Sequence, residues 1–457
     1  MKTKINLLLA AALCALLLSC GSYTKYESTT QVPTDVYGKD TPLIDNAIAQ
    51  PSIAQLSWRD FFSDPQLQTL IDTALQRNTD LKAAQIRVEQ AQLSLKVAKM
   101  ANLPSISLSP SAGIGTTGST IITSYDLKAD LQMQIDAFGS LANTKHNAQA
   151  LKMQTECAQQ LTQVQLIASI AQAYNQLQLL DRQLQIMQAT EQLWAKSLET
   201  QRALMENGKA YSTSVQQMEA SYLGVKSQIL DVQNNILDVQ NTICLLLDQT
   251  PRHIPRSAWD KYQLPQRIGI GLPAELLTNR PDVRMAEYGV EASHYNVKAA
   301  RAAFYPNITL GGSTGWSYNR ATINPGQWIL STAASLVQPI FSQGKIRARY
   351  KNAQLEQQNA INHLSHTILQ AGNEANKALR LCQLDSEKDQ LYKQQVAVLQ
   401  KAYNGTHELM HNGKASYLEV LTAQEALLNA QLNEATNLFN GYHSLITLYC
   451  ALGGGQQ

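Results

Sequence analysis

Residues 407–411 read His-Glu-Leu-Met-His, the HExxH spacing letter for letter. On a helix this spacing puts two imidazoles on one face, where they could hold zinc with the glutamate as general base of a peptidase. The match stops at Asn412-Gly413, a turn signal, and no second element offers an identifiable further ligand. His363 and His366 read as polar helix-face residues, and Cys157, Cys244, Cys382 and Cys450 stand singly on helical patterns with no CxxC spacing. The cysteines therefore read as small buried apolar residues, not a zinc site or a disulfide framework. No phosphate loop, Rossmann glycine pattern or Ser-His-Asp signature occurs in a fitting context. The reading is of a non-enzyme with no catalytic residue, no metal ligand and no cofactor.

One cysteine is different. Lys2 and Lys4 begin a basic start, residues 5–18 form a short apolar core, and Leu17-Leu18-Ser19-Cys20 closes it. The closing motif resembles a bacterial lipobox: a peptidase would remove residues 1–19 as a signal peptide, and the Cys20 thiol would take the lipid. As a permanent span the segment is shorter than the roughly 20 residues needed. Residues 20–57, rich in Ser, Thr, Pro and Gln, read as a lipidated tether. No later stretch holds 18 consecutive apolar residues, so any further membrane crossing must use β-strands. A formal net charge of +2 gives no sign of a nucleic-acid partner.

The elements behind these residues occur twice. At an offset of 202, Asp80, Ala84, Val88, Glu89, Lys96, Ala98, Ala101, Pro104, Ile106 and Leu108 are identical to Asp282, Ala286, Val290, Glu291, Lys298, Ala300, Ala303, Pro306, Ile308 and Leu310. At an offset of 205, Gly139, the run 147–149, Asn207-Gly208-Lys209-Ala210 and Thr242 recur at Gly344, 352–354, Asn412-Gly413-Lys414-Ala415 and Thr447. An internal repeat this long sets the architecture before any other argument. In the first copy, residues 407, 408 and 411 become Arg202, Ala203 and Glu206, so the repeat does not carry the HExxH chemistry. Residues 58–251 form the first repeat, 252–279 a proline-rich connector with a short helix near 274–278, and 280–457 the second repeat.

Each repeat begins with helices. Trp58 to Phe62 opens the first, Asp64-Pro65 gives a cap and a first-turn proline, and a further helix runs from about Asp80 to Asn102. A strand pair follows at about 104–136 and again at about 306–341. Tyr125, Leu127, Ala129, Leu131, Met133 and Ile135 alternate with Asp126, Lys128, Asp130, Gln132 and Gln134, giving an apolar face and a polar face. In a barrel the apolar face meets lipid and the polar face lines water. Trp316, Tyr318 and Trp328 suit an aromatic girdle near the hairpin tip, and Gly311, Gly312 and Gly315 suit close or bent strands. Residues 141–207 contain neither Gly nor Pro, a length of about 100 Å if helical. Leu177, Leu180, Leu184 and Met187, and on the returning helix (about 211–247) Ile236, Val239, Ile243 and Leu246, have coiled-coil seam spacing. The second copy repeats this over 345–411 and 416–452.

Four strands cannot close a barrel alone, since closed bacterial barrels begin at about eight and an open edge is not tolerated in lipid. If these strands span a membrane, several chains must share one barrel; strand count alone leaves a soluble homodimer open. A periplasmic adaptor or scaffold is disfavoured, because one helical hairpin set in β domains would be expected there.

These features resemble the TolC/OprM-type outer-membrane efflux proteins, in the lipoprotein (NodT-like) branch that serves resistance-nodulation-division (RND) pumps. The resemblance is carried by Trp58, Phe61 and Asp64, by 272–277 with Arg280-Pro281-Asp282-Val283 and Ala286-Glu287, and by 304–310. Gln338-Pro339-Ile340-Phe341 with Gly344, the run 420–424 and the ending 448–455 complete it. It implies a mainly α fold with membrane β: a homotrimer sharing a 12-stranded barrel, four strands per chain, above a coiled-coil helical tunnel. It implies a lipid-anchored position in the outer membrane reaching into the periplasm, a periplasmic adaptor (membrane fusion) protein and an inner-membrane RND pump as partners, and passive conduction of small molecules. A type I secretion duct is the alternative. The Asn207-Gly208-Lys209 and Asn412-Gly413-Lys414 turns become adaptor-docking candidates. A family aspartate pair that narrows the pore falls on Glu419 and Thr422, with Ser214 and Gln217 as first-copy equivalents, so this chain departs from the two-carboxylate version.

Overall fold

The computed structural model describes residues 26–28, 32–33, 36–37, 53–118, 120–257, 279–319 and 324–455. Cys20, the signal peptide, most of the tether, the run 272–277 and the short helix expected near 274–278 lie outside the described residues. The elements are α1 (Trp58–Phe61), α2 (Pro65–Arg77), α3 (Thr79–Met100), β1 (Ser105–Thr117), β2 (Thr120–Ile135), α4 (Ser140–Glu206), α5 (Ser212–Leu246), α6 (Pro281–Ala302), β3 (Asn307–Asn319), β4 (Asn324–Val337), α7 (Lys345–His411) and α8 (Tyr417–Ala451). The second copy repeats the order helix, strand pair, 67-residue helix, 35-residue helix of the first. No helix among the described residues is long and apolar enough to cross a membrane.

The chain divides into two compact units. The first includes 86–157 and 284–367, and so holds the sheet. Its strands form an antiparallel meander in the order β1-β2-β3-β4, with β2 and β3 joining the hairpins of the two copies. The register carries the sequence alternation across all four strands. Pro110 pairs with Leu127, Leu127 with Trp316, and Trp316 with Trp328, while Leu108, Ala129, Thr314 and Leu330 form the next row on the same face. This face is uncovered: Ile114, Ile106, Trp328 and Leu330 are each at least 75% exposed. The opposite face is a polar lattice, where Ser109 donates to Asp130 at 2.8 Å and Ser313 and Ser331 share a 2.6 Å hydrogen bond. Among Gly311, Gly312 and Gly315, Gly315 is the constrained one, because a Cβ there would run into the Leu127 carbonyl. Gly311 and Gly312 have room for one.

Also in this unit, described tether residues lie on α6. The Tyr26 hydroxyl donates to Glu287 at 2.8 Å, and its ring sits 5.5 Å from that of His294. Tyr295 stacks on His146 at 5.1 Å. Burial and the nearby Lys298 hold the His294 imidazole below its usual range, and burial with Lys145 and Lys298 does the same for His146.

The second unit includes 53–85, 158–257 and 368–455 among its described residues. Its core is the seam anticipated by the 3-4-3 spacing. Leu177, Leu180, Met187, Ile236 and Ile243 are buried, and Leu184, Val239 and Leu246 pack against them. Burying each such side chain stabilises by about 1.5–3 kcal/mol, so these two stripes hold α4 against α5. The α1–α2 corner is fixed by caps: Ser57 accepts from the Asp60 amide, and Asp64, with Pro65 following it, accepts from the Gln66 amide. Arg280 is a second fixed point. Its buried guanidinium donates to Asp282, to Glu374 at 2.8 Å and to the Ala451 carbonyl at 2.7 Å. Burial opposes its charge, but the two carboxylates more than offset this and raise its pKa. Of the thiols, Cys157, Cys244 and Cys382 are buried, and burial with Asp385 nearby pushes Cys382 up to about 12.

Candidate functional site: the two helix turns

The two turns flagged by sequence are built alike, and both lie in the second unit. After α4, Gly208 takes φ +69°, its N–H donates to the Met205 carbonyl at 2.9 Å, and the Lys209 N–H donates to the Leu204 carbonyl at 2.8 Å. After α7, Gly413 takes φ +67°, with the same two bonds to Met410 and Leu409. This is a Schellman ending, which needs a left-handed residue after the helix and so selects glycine. The preceding asparagine helps in both copies: the side-chain amides of Asn207 and Asn412 donate to the carbonyls of Ala203 and Glu408. Asn207, Gly208, Lys209, Asn412, Gly413 and Lys414 are all exposed, so the lysines and turn backbone face solvent as a docking surface requires.

The helices that follow differ. In α8, Ser416 is the N-cap. Its hydroxyl oxygen accepts from the Glu419 N–H, and its hydroxyl donates to the Glu419 carboxylate at 3.0 Å. Glu419 thus closes a capping arrangement at the third helical position while its side chain stays exposed. The helix N-terminus also favours a negative charge there. In α5 the N-cap is Tyr211, with no side-chain cap bond, and the equivalent Ser214 is half-buried. Thr422 is exposed, and its hydroxyl donates to the Leu418 carbonyl at 2.9 Å.

Gln217 is exposed and accepts from the Tyr417 hydroxyl at 3.1 Å, a bond between the two copies. Sequence reasoning did not single out Tyr417. Its ring packs on a small buried cluster of Leu198, Val215 and Met218. The repeat could not flag it, because its first-copy equivalent is Ser212. The available signal was a large aromatic residue directly after the Ser416 cap. Arg202 and Glu219 add a 3.0 Å ion pair across the α4–α5 turn.

The HExxH residues lie on the last turns of α7, where the His407 and His411 rings are 6.0 Å apart. Among the described residues no group of three His, Cys, Asp or Glu side chains could hold a metal ion. What the two copies share is the turn.

Comparison with known proteins agrees with this architecture. Residues 70–248 and 272–454 match the family described as "Outer membrane efflux protein", one stretch for each copy. The chain is 29% identical over 415 residues to the "Probable outer membrane lipoprotein SilC" of Salmonella typhimurium, covering 88% of this chain and 89% of that one. It is 30% identical over 409 residues to the "Cation efflux system protein CusC" of Escherichia coli K12, covering 87% and 88%. Its fold superposes on the solved structure of the outer-membrane channel OprN with a TM-score of 0.85, at 24% identity, covering 95% and 99% of the two chains. Helical hairpins and a four-stranded meander thus form the protomer fold of the trimeric outer-membrane channels. The chain belongs to the outer membrane efflux protein family, and it is an outer-membrane efflux channel, a passive conduit and not an enzyme.

Proposed function

We propose that three copies of this chain close one barrel in the outer membrane and serve as the exit duct of a tripartite pump. An inner-membrane RND transporter supplies small molecules, and a periplasmic adaptor opens the duct. The observation that carries this reading is the sheet. It exposes a largely apolar face and leaves the outer edges of β1 and β4 without a partner strand among the described residues. An even meander leaves β4 of one copy antiparallel to β1 of the next, so pairing around a ring removes every edge, as lipid requires.

In this reading Cys20 carries the lipid anchor and the chain reaches from the outer membrane into the periplasm. The adaptor docks on the two Asn-Gly turns, and Glu419, with Thr422, Ser214 and Gln217 nearby, narrows the entrance. The duct has no energy source of its own, so opening depends on a partner that binds the open arrangement more tightly than the closed one. The matching family and the CusC relative are named for efflux, which favours a pump duct over a protein-secretion duct.

Native mass spectrometry of the detergent-extracted protein, with affinity purification from the membrane, tests the proposal. A trimer that co-purifies with an adaptor and a transporter is expected. A monomer that stays dispersed without detergent would overturn the barrel, and co-purification with a protein-secretion ATPase would overturn the pump assignment.

A further inference from the structure

The repeat meets itself once inside the chain, in the unit that holds the sheet. There β2 pairs with β3, β2 leads into α4, and α6 leads into β3. The two helices touch beside that junction. Tyr295 stacks on His146 at 5.1 Å, and the side-chain amide of Asn147 donates to the Ala292 carbonyl at 2.7 Å. A Cβ on Gly289 would lie 3.1 Å from the amide nitrogen of Gln154. Tyr295, Ala299 and Ala302 are buried, spaced i, i+4 and i+7 along one face of α6.

The repeat supplies the same pair of faces a second time, without cover among the described residues. At the offset of 202, Tyr295, Ala299 and Ala302 correspond to Leu93, Val97 and Met100 of α3. Leu93 and Val97 are 61% and 69% exposed, against 2% and 8% for Tyr295 and Ala299, and Met100 is exposed as well. A helix stripe with this spacing ordinarily faces other protein. The receiving side is open too. At the offset of 205, His146, Asn147 and Ala150 of α4 correspond to Lys351, Asn352 and Leu355 near the start of α7. Ala150 is 2% exposed, Leu355 is 52% exposed, and Asn352 is exposed.

We propose that α3 of one copy lies on the start of α7 of the next, as α6 lies on α4 within the chain. A second copy of this chain thus covers both open faces. Leu93, Val97 and Met100 pack beside Leu355, and Asn352 reaches the Gln90 carbonyl, the equivalent of Ala292. In a single copy the Ser94 hydroxyl donates to that carbonyl at 3.0 Å, so Asn352 displaces it on assembly. The same offsets carry the strand register. Leu131 opposite Gly312 becomes Leu336 of one copy opposite Pro110 of the next, which keeps the apolar rows on one side of the sheet. The contact rests on the shared barrel proposed above and adds which helices touch and through which residues. It also selects one strand register from those that side-chain parity allows.

The test uses the full-length protein in membranes of the expressing cells. Leu93→Cys and Lys351→Cys, both at exposed positions, are placed on differently tagged chains made together. The membranes are treated with a short bifunctional methanethiosulfonate. A covalent dimer carrying both tags is expected, and it should vanish when either substitution is left out, which removes the native cysteines as a source. His146→Cys with Tyr295→Cys in one chain is the reference and should link within the chain. Val97→Asp, at an exposed position of the single copy, should leave helix content unchanged and lower the temperature at which the oligomer separates in detergent. An oligomer of unchanged mass by native mass spectrometry that yields no doubly tagged dimer overturns the contact and leaves the barrel standing. A chain that forms no oligomer overturns both. A link from these positions to a protein of another sequence assigns the open faces to a different partner and also overturns the contact.

Discussion

The Tyr174 hydroxyl donates a 2.6 Å hydrogen bond to Asp64, a buried carboxylate 110 positions earlier in the chain. Ser257 completes the knot: its hydroxyl donates to Asp64 at 3.1 Å and its N–H donates to the Tyr174 oxygen at 3.0 Å. Asp64 meanwhile caps α2 through the Gln66 amide. One carboxylate therefore ties a helix start, the long helix α4 and the beginning of the connector between the copies. A buried carboxylate stays ionised only when it accepts several such bonds. Burial and Asp64 together hold the Tyr174 phenol well above its usual pKa.

Removing one member of this knot should be costly. Tyr174→Phe keeps the ring and deletes a charge-assisted bond, worth about 1.5–3 kcal/mol. The expected result is a melting temperature several degrees lower in detergent, with faster proteolysis near residue 257 and an unchanged oligomer mass. An unchanged melting curve would mean that Ser257 and the Gln66 amide suffice for Asp64.

Glu419 has two roles to separate, helix cap and pore charge. Glu419→Gln keeps the capping arrangement, since glutamine serves at that position as glutamate does, and removes only the charge. Planar-bilayer recordings should then show reduced cation preference and weaker divalent-ion block, with the trimer intact. Ser416→Ala is the complement: it removes the cap, costing about 1 kcal/mol, and leaves the charge. Unchanged selectivity in Glu419→Gln would leave Glu419 with the capping role alone.

The tether contact on α6 should weaken in acid. His146 and His294 have folded pKa values depressed below the unfolded value, chiefly by burial. Both rings are therefore harder to protonate in the folded chain than in the unfolded one, which binds more protons as pH falls through about 6.5. The stability from these rings is full above that pH and is lost as pH drops toward the folded values. Hydrogen exchange of residues 281–302 should accelerate between pH 7.5 and 5, and the acceleration should shrink in a His146→Gln, His294→Gln double variant. Exchange that tracks only the intrinsic pH dependence of amide chemistry would refute the coupling.

Mass spectrometry of the mature N-terminus checks Cys20. A diacylated or triacylated Cys20 is expected as the first residue. Cys20→Ala should give an unmodified chain with weaker outer-membrane retention and the same oligomer. Cleavage elsewhere with a free terminus would remove the anchor.

Much of the fold was legible because its signals are local and occur twice. The expected helix over 345–411 is observed at Lys345–His411, and the one expected from about Asp80 to Asn102 runs Thr79–Met100. Both Asn-Gly breaks act as read, since the left-handed glycine that ends a helix is encoded where it acts. The parity of β2 held across four strands because one side of a pleat must be apolar. What sequence did not show is tertiary and occurs once. Asp64 was legible as a cap but not as the buried acceptor for Tyr174 and Ser257, which have no sequence proximity to it. The Tyr417–Gln217 bond escaped because the repeat has serine in place of the tyrosine.

The two open sheet edges have a consequence for biogenesis. Until its sheet is closed, the chain carries an uncovered apolar face and two rows of unpaired backbone groups, the combination that seeds strand-to-strand aggregation. The coiled-coil unit, by contrast, already buries a core of its own, while Leu223, Leu230 and Leu237 stay exposed along α5. Maturation is thus split: one part builds its main core within a single chain, and the other awaits both lipid and sister subunits. Newly exported chains must be escorted across the aqueous compartment, and a shortfall of the escort should appear as clumped precursor before it appears as lost transport.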